Sequence, residues 1–449
     1  MPWAAGMTRA LLGPYGMAGV LLLLCAFFSL ATITDQSPSP EESGRQIAAR
    51  AVAGGGGGSV SVLVVGRATD EDREFVVAVG KALGAAGVPV VGQVNGEPRE
   101  AREALEGLAK TGTRVAFIAA TAEVASWPVL KNASTRYASL GPLEVIGAGG
   151  RRWPTFLTRQ NLLNVANQIS VVAILAVGMT LVIIAGGIDL SVGSLIALSA
   201  VGVTVLIRDQ AGGTDAGTMG LLGCSVAGVA ACAVIGLMSG ALVAIFRVPP
   251  FIATLAVMQV ASGVAFMIAR GGSIYEVPDA FTWLGRGADL LGMPNAVVLT
   301  LALYVATHVV MTRTVLGRWV YAVGGNPAAA RLAGLNVPLV LLFAYAFCGA
   351  MAGLGGVVQA SQLKSGAPTY GAMYELYAIA AVVVGGTSLS GGQGKVFGTL
   401  IGALIIAVIQ NGMNLKNVES YSQKVVLGLV ILGAVLLDLL KKRDWRAWS

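Results

Sequence analysis

The sequence predicts an all-α polytopic membrane protein, with about ten transmembrane helices and a small extracytoplasmic α/β domain of parallel sheet inserted after the first of them. Three observations lead there. Of the 449 residues, 55% are hydrophobic and only 12% charged, with a mean hydropathy of +0.75, which is not the composition of a water-soluble globule. Long apolar runs recur from residue 17 to residue 440, most of them able to reach across a hydrocarbon core about 30 Å thick. Charge is also segregated: 13 of the 23 acidic residues lie between positions 35 and 144, whereas residues 151–449 hold 10 acidic and 18 basic side chains.

The same counts exclude several function classes. The net charge of +7 has no lysine and arginine cluster interleaved with aromatics, so nucleic acid is not an expected partner. Cys25, Cys224, Cys232 and Cys348 all sit in apolar runs, where they signal neither a disulfide framework nor a thiolate metal site. The single histidine, His308, lies in an apolar span beside Thr307 and reads as a packing residue. With one histidine and no paired carboxylates on a helix, hydrolytic or metal catalysis has little to work with.

Taken in order, residues 1–33 hold the first transmembrane helix, an apolar run over 17–33 preceded by Arg9. One basic residue makes a weak signal-peptide start, which argues for a retained anchor over a cleaved leader. Residues 34–58 are rich in Ser, Pro and Glu and then in Gly, and read as a flexible linker. Residues 59–150 alternate strand and helix patterns. Strands are expected at 59–65, 88–91 and 115–119, with a further one at 143–146, and helices at 70–86 and 98–110, the latter with Ala101, Ala104, Leu105 and Leu108 on one face. That alternation implies a small parallel sheet. The loop VVGRATDED has one glycine, too few for a dinucleotide fingerprint. In pattern alone the segment is similar to half a lobe of a periplasmic sugar-binding protein. Residues 151–443 form the membrane core, and 444–449 a short cytoplasmic tail.

Within the core, Asn161, Asn164, Asn167 and Gln168 recur at helical spacing. Amides on one face of a membrane helix must point to a cavity, to protein or to water, so solute contact and interhelical adhesion both remain open; Asn164 and Gln168 are the candidates for a solute pathway. Apolar runs follow at 169–185, 195–207, 219–246, 251–268, 296–311, 339–360, 376–387, 396–413 and 425–440. By parity, the loops holding Arg247, then Arg313, Arg318 and Arg331, then Lys395, then Lys441, Lys442 and Arg443 fall on one side, which the positive-inside rule makes cytoplasmic. Arg151, Arg152 and Arg159 fall outside, next to a folded domain where charge is a weak guide.

Three stretches carry motifs. GMTLVIIAGGIDLSVGSLIALSA, residues 178–200, reads as two spans joined by a polar corner, with Gly186 and Gly187 turning the backbone and Asp189 or Ser191 capping the second helix. A plain structural turn at the membrane surface is the other reading. In the loop over 313–336, Asn326 suits an N-cap, Pro327 the first helical position and Gly334 the C-terminal end; with Ala329, Arg331 and Leu332 between, the loop should hold a short helix. Residues 389–393 spell LSGGQ, a nucleotide-contacting pentapeptide of ABC ATPases, but the chain lacks the phosphate loop an ATPase needs: Gly394-Lys395 is followed by Val396.

The glycine pair with IDLSVG, the run PPFIATLAVMQ at 249–259, and YAVGGN and AGLNV flanking the short helix together resemble the permease subunits of ribose/xylose-type ABC sugar importers, in the expected order over residues 151–440. The resemblance implies that residues 326–334 are the coupling helix that docks into an ABC ATPase subunit. That helix often carries an early acidic residue, where Ala328 and Ala329 stand here. It further implies a multi-pass protein of the bacterial inner membrane, surrounded by membrane lipid and translocating a monosaccharide or related small polar solute. Its expected partners are an extracytoplasmic solute-binding protein and a second permease chain, as a homodimer. No cofactor is expected on this chain, ATP and Mg²⁺ being held by the partner ATPase, and no catalytic or metal residue is expected. The domain at 59–150 departs from the family pattern. Two alternatives make different demands on the sequence: a secondary transporter predicts buried ionisable groups deep in the membrane or inverted repeats, and a membrane receptor with an external sensing domain predicts cytoplasmic signalling modules.

Overall fold

The computed structural model describes residues 16–36, 38–54 and 61–442. Residues 55–60, which hold all but the first glycine of the polyglycine run, and the tail expected at 444–449 lie outside the described residues. The chain divides into two compact units, one over residues 33–155 and the other formed by the residues before and after it.

In chain order, α1 (Gly16–Ala31) belongs to the helical unit. The inserted unit opens with β1 (Ile33–Gln36) and α2 (Pro40–Gly54) and continues through β2 (Val62–Gly66), α3 (Asp70–Ala85), β3 (Val90–Asn95), α4 (Pro98–Lys110) and β4 (Phe117–Ala120). Three single turns, α5 (Ala122–Ala125), α6 (Pro128–Lys131) and α7 (Ala133–Arg136), then lead to β5 (Glu144–Gly147) and β6 (Arg151–Pro154). β1 and β6 pair antiparallel, Ile33 opposite Pro154, and tie the ends of the insertion together. The other four strands form an all-parallel sheet in the order β3-β2-β4-β5. Val62, Leu63, Val64 and Val65 have no exposed surface. Because successive side chains point to opposite faces, Val62 and Val64 pack against α2 and α3 while Leu63 and Val65 pack against α4 and α5–α7.

The stretch expected to be a linker, 34–58, is therefore corrected. It contains all but the first residue of β1 and all of α2, whose Ile47 and Ala51 are fully buried in the sheet core. Its apolar residues Ile47, Ala48 and Ala51 share a helical face, a signal hidden by a polar average composition. The boundary at 150 moves likewise, since β6 closes the inserted unit.

The helical unit continues with α8 (Arg159–Ile184), α9 (Val192–Gln210), α10 (Thr218–Ala244), α11 (Pro250–Ile268), α12 (Trp283–Arg286), α13 (Asn295–Arg313), α14 (Val315–Gly325), α15 (Pro327–Leu332), α16 (Val337–Leu363), α17 (Tyr374–Val384), α18 (Val396–Leu415) and α19 (Ser420–Lys442). Seven of these, α8, α9, α10, α11, α13, α16 and α18, are long and apolar enough to cross a membrane; α1, α17 and Ser420–Gly433 of α19 are shorter apolar helices. α8 is the central post, packed on α13, α16, α17 and α18. α10 and α16 meet through small residues: Gly228, Cys232, Gly236 and Gly240 recur every fourth position on α10, and a Cβ at Gly236 would overlap the Tyr345 carbonyl oxygen of α16. Without a hydrophobic force between helices in lipid, such close approach supplies the adhesion through van der Waals contact. His308 packs its ring on Phe397, centroids 4.8 Å apart.

Candidate functional site

The polar corner lies inside the helical unit, not at its surface. α8 ends at Ile184, and the next residues turn back between helices before α9 begins at Val192. Gly187 sits against the Tyr345 hydroxyl and Asp189 beside Cys348, so the corner meets α16 about 12–16 Å from its first residue at 1.5 Å per residue. Asp189 and Ser191 have no exposed surface. Asp189 Oδ1 accepts hydrogen bonds from the Ser191 N–H, at 2.9 Å, and from Ser191 Oγ, at 2.6 Å. Ser191 is the residue at the N-cap position, but its side chain makes no capping bond. The expected cap is thus replaced by an Asx-type turn in which Asp189 holds Ser191. Asp189 Oδ2 and the Tyr345 hydroxyl have no hydrogen-bond partner among the described residues.

The amides of α8 separate into distinct roles. Asn161 Nδ2 donates to Asn411 Oδ1 at 3.0 Å and Asn411 Nδ2 donates back at 2.9 Å, joining α8 to α18. Asn167 donates to the Gly285 carbonyl at 3.0 Å, and its own carbonyl accepts from Gln362 Nε2 at 2.8 Å. Gln168 instead lines a small polar cavity of about 170 Å³ with Tyr374, Tyr377, Gln410, Asn414 and Gln423, floored by Ile169 and Val172. Asn164 is exposed and does not line it. The residues that sequence reasoning missed, Gln410 and Asn414, stand one turn apart on α18, the same amide-on-one-face signal that singled out α8. A larger cavity, about 960 Å³, is lined by apolar side chains such as Leu221, Val226, Phe281 and Leu354 and offers a hydroxylated solute few partners.

The short helix forms as its caps dictate. Asn326 Oδ1 accepts from the Ala329 N–H at 3.0 Å. At the other end Gly334 has φ +84°, its N–H donates to the Arg331 carbonyl and the Leu335 N–H to the Ala330 carbonyl, a Schellman closure that favours glycine. Leu332 is 91% exposed, and Ala328, Ala329, Arg331 and Ala333 are exposed with it, whereas Ala330 is buried. LSGGQ is a turn between α17 and α18. Its Gly392 N–H donates to the Ile184 carbonyl at 2.8 Å, and Tyr321 of α14 donates to the Gly394 carbonyl at 2.8 Å. A Cβ at Gly324 would overlap the same Ile184 oxygen. The end of α8, the glycine turn and the residue pair preceding Asn326 thus converge. Gly186 belongs to this junction and Asp189 does not.

Residues 161–435 match the family described as branched-chain amino acid transport system / permease component. The chain is 45% identical over 289 residues to the ribose import permease protein RbsC of Escherichia coli (strain K12), 64% of this chain and 87% of that protein. It is 36% identical to the D-allose transport system permease protein AlsC of the same organism, over 64% of this chain and 85% of that one. It is 35% identical to the L-arabinose ABC transporter permease protein AraH of Azospirillum brasilense, over 66% and 84%. No solved structure matches the chain.

Proposed function

Since the chain belongs to the branched-chain amino acid transport system / permease component family, we propose that it is the membrane permease subunit of an ABC importer for a monosaccharide or related small polar solute. The observation that carries the sugar over the amino acid is that the relatives are permeases named for ribose, allose and arabinose. The geometry agrees with a neutral, hydroxylated cargo. Gln168, Gln410 and Asn414 offer both donors and acceptors, Tyr374 and Tyr377 stand beside them, and no charged side chain lines the cavity.

In this reading α1, α17 and α19 enter the bilayer with the seven longer helices, making ten, and the α/β unit is extracytoplasmic. Residues 326–334 are the coupling helix, and Leu332 with Ala329 is its knob. The buried Ala330 is part of the permease itself. ATP and Mg²⁺ are held by a separate ATPase subunit, solute arrives from an extracytoplasmic binding protein, and the chain itself hydrolyses nothing. Asn164 and Gln168, exposed on a membrane helix, call for a water-filled path or a facing chain, which a second copy of the permease supplies.

A secondary transporter draws support from one observation, the fully buried Asp189. Its hydrogen bonds go to Ser191 two residues away, as in a structural turn. Uptake of labelled ribose, allose, arabinose and leucine into proteoliposomes holding the chain, its ATPase and its binding protein separates these readings. Sugar uptake that needs ATP supports the importer. Uptake driven by a proton gradient without ATP, or uptake of leucine alone, overturns it.

A further inference from the structure

The larger cavity of the helical unit, about 960 Å³, is left unused by the passage of a hydroxylated solute. α10 lines it from Thr218 to Ala230, the turn Asp279–Thr282 and α12 contribute Phe281 and Trp283, and α16 contributes Leu354 and Val357. The turn cannot fold down into this space, because it is pinned to α16. Ser361 Oγ accepts from the Gly285 N–H at 2.8 Å and donates to the Phe281 carbonyl at 2.6 Å, and Arg286 Nε donates to the Gln362 carbonyl at 2.7 Å. A Cβ at Gly285 would overlap the Gln362 nitrogen, so turn and helix are already in contact. The groove is therefore built into the fold and stays open.

What fills it follows from its lining, its length and its width. Leu222, Val226 and Trp283 are all exposed, so the groove is continuous with the outward face of α10, a helix whose apolar window is only 28% buried. Its polar handles are already used: Ser225 Oγ donates to the Leu221 carbonyl at 2.8 Å and Trp283 Nε1 to Asp289 at 2.6 Å. Water finds few partners there, and apolar cavities stay dry, while an empty groove forfeits the dispersion contacts of its lining. The twelve steps from Thr218 to Ala230 cover about 18 Å at 1.5 Å per residue, close to one leaflet of a hydrocarbon core about 30 Å thick. Spread over that length, the volume leaves a cross-section of about 50 Å². A helix with its side chains is about 10 Å across or more and needs about 80 Å², so a helix of a second copy does not seat in the groove. Trp283 stands near the Thr218 end of α10 in sequence order of the lining no better than elsewhere, but its indole, apolar in body and bonded at its tip, is the side chain that suits a membrane–water boundary.

We infer that this groove is a binding site for the acyl chain of a membrane phospholipid, held between α10 and the pinned turn as a resident of the helical unit rather than as passing bilayer. A flexible hydrocarbon chain matches the apolar lining, the length of one leaflet and the narrow section together. It restores the dispersion contacts that α10 lacks on this side, where no helix of the chain covers Leu222 or Val226 among the described residues. The inference goes beyond the importer reading and does not depend on which solute is carried.

The test uses the full chain in nanodiscs of phosphatidylethanolamine and phosphatidylglycerol with a small fraction of phosphatidylcholine carrying a diazirine in its acyl chain, the photolabelled residues being mapped by mass spectrometry. Residues 221–230 and 280–284 should be labelled several-fold more than Leu237 and Met238, which are exposed further along α10. Ala230 and Ala280 line the groove from two sides and are exposed; Ala230→Phe and Ala280→Phe should each remove that excess and leave the label at Met238 unchanged. In detergent the parent should retain one phospholipid in native mass spectra and melt higher when phospholipid is added back, whereas the filled variants should retain none and melt independently of it. Labelling no greater in the groove than at Met238, or an excess indifferent to both phenylalanines, is ordinary bilayer contact and overturns the site. Label present in a monomer and lost in a dimer would place a second copy there and overturn it too. No residue of the groove lines the cavity at Gln168, so ATP-dependent sugar uptake alongside such a result would sink this inference and leave the importer standing.

Discussion

Placing an aspartate at the tip of the short helix α15 separates a docking knob from a solvated turn. Leu332 is 91% exposed in this chain, so nearly its whole apolar surface is available to a partner. Burying a leucine side chain contributes about 1.5–3 kcal/mol, and leaving an unpaired charge in a packed contact costs several more, which together amount to roughly a hundredfold or more in affinity. The same substitution on a free surface should change stability by less than about 0.5 kcal/mol. Leu332→Asp and Ala329→Asp should therefore insert and melt like the parent while losing the ATPase subunit on co-purification and losing uptake. Ala330→Asp is the internal control. Ala330 is 5% exposed, and a carboxylate there should lower the melting temperature of the chain itself. Full ATPase retention and uptake in both Leu332→Asp and Ala329→Asp would refute the assignment, as would a melting defect in Leu332→Asp equal to that of Ala330→Asp.

Three further outcomes follow from the geometry. Asn161→Leu should destabilise the helical unit by about 1–3 kcal/mol, because it leaves the Asn411 amide without its reciprocal partner; Gln168→Leu should instead raise the KM of sugar uptake with little change in melting, and equal melting of the two variants would contradict this division. Asp189→Leu should reduce folded protein in membranes by orphaning the Ser191 N–H, whereas Asp189→Asn, which keeps an acceptor, should restore most of it; equal loss in both would point to the charge itself. In the α/β unit, burial pushes the Asp72 carboxyl up, but hydrogen bonds from Arg67 and its positive charge outweigh it and hold the carboxyl below the usual range. A depressed carboxyl contributes stability that is present above its unfolded pKa of about 4 and is lost as pH falls through the lower folded value, so amide protection of α3 should survive to below about pH 4 in the parent and fail earlier in Arg67→Ala.

Signals that are local along the chain were legible in the sequence. The caps at Asn326 and Gly334 follow from which groups within four residues can satisfy free N–H and C=O groups, and α4 lies over Pro98–Lys110 as its apolar spacing predicts. The strands of the sheet shifted by a few residues, Val90–Asn95 against an expected 88–91, because a short apolar run does not mark where pairing ends. The helix α2 was missed because its burial depends on a sheet that starts later in the chain.

Tertiary structure alone decided which membrane helices are interior. α8 and α10 each carry a long apolar window, yet 89% of that of α8 is buried within the chain and only 28% of that of α10. In water a hydrophobic stripe marks the buried face of a helix; in lipid the outward face is apolar too, so the pattern reports membrane and not core. The depth of Asp189 was hidden for the same reason. Its neighbours Ser191, Tyr345 and Cys348 come from a corner and from a helix more than 150 positions away, and only their packing turns a polar pair that reads as a surface turn into a fully buried one. The family, the caps and the alternation of the inserted unit were determined by the sequence; the faces those helices present to one another, and hence which of their amides share the cavity at Gln168, were determined by contacts between elements far apart in the sequence.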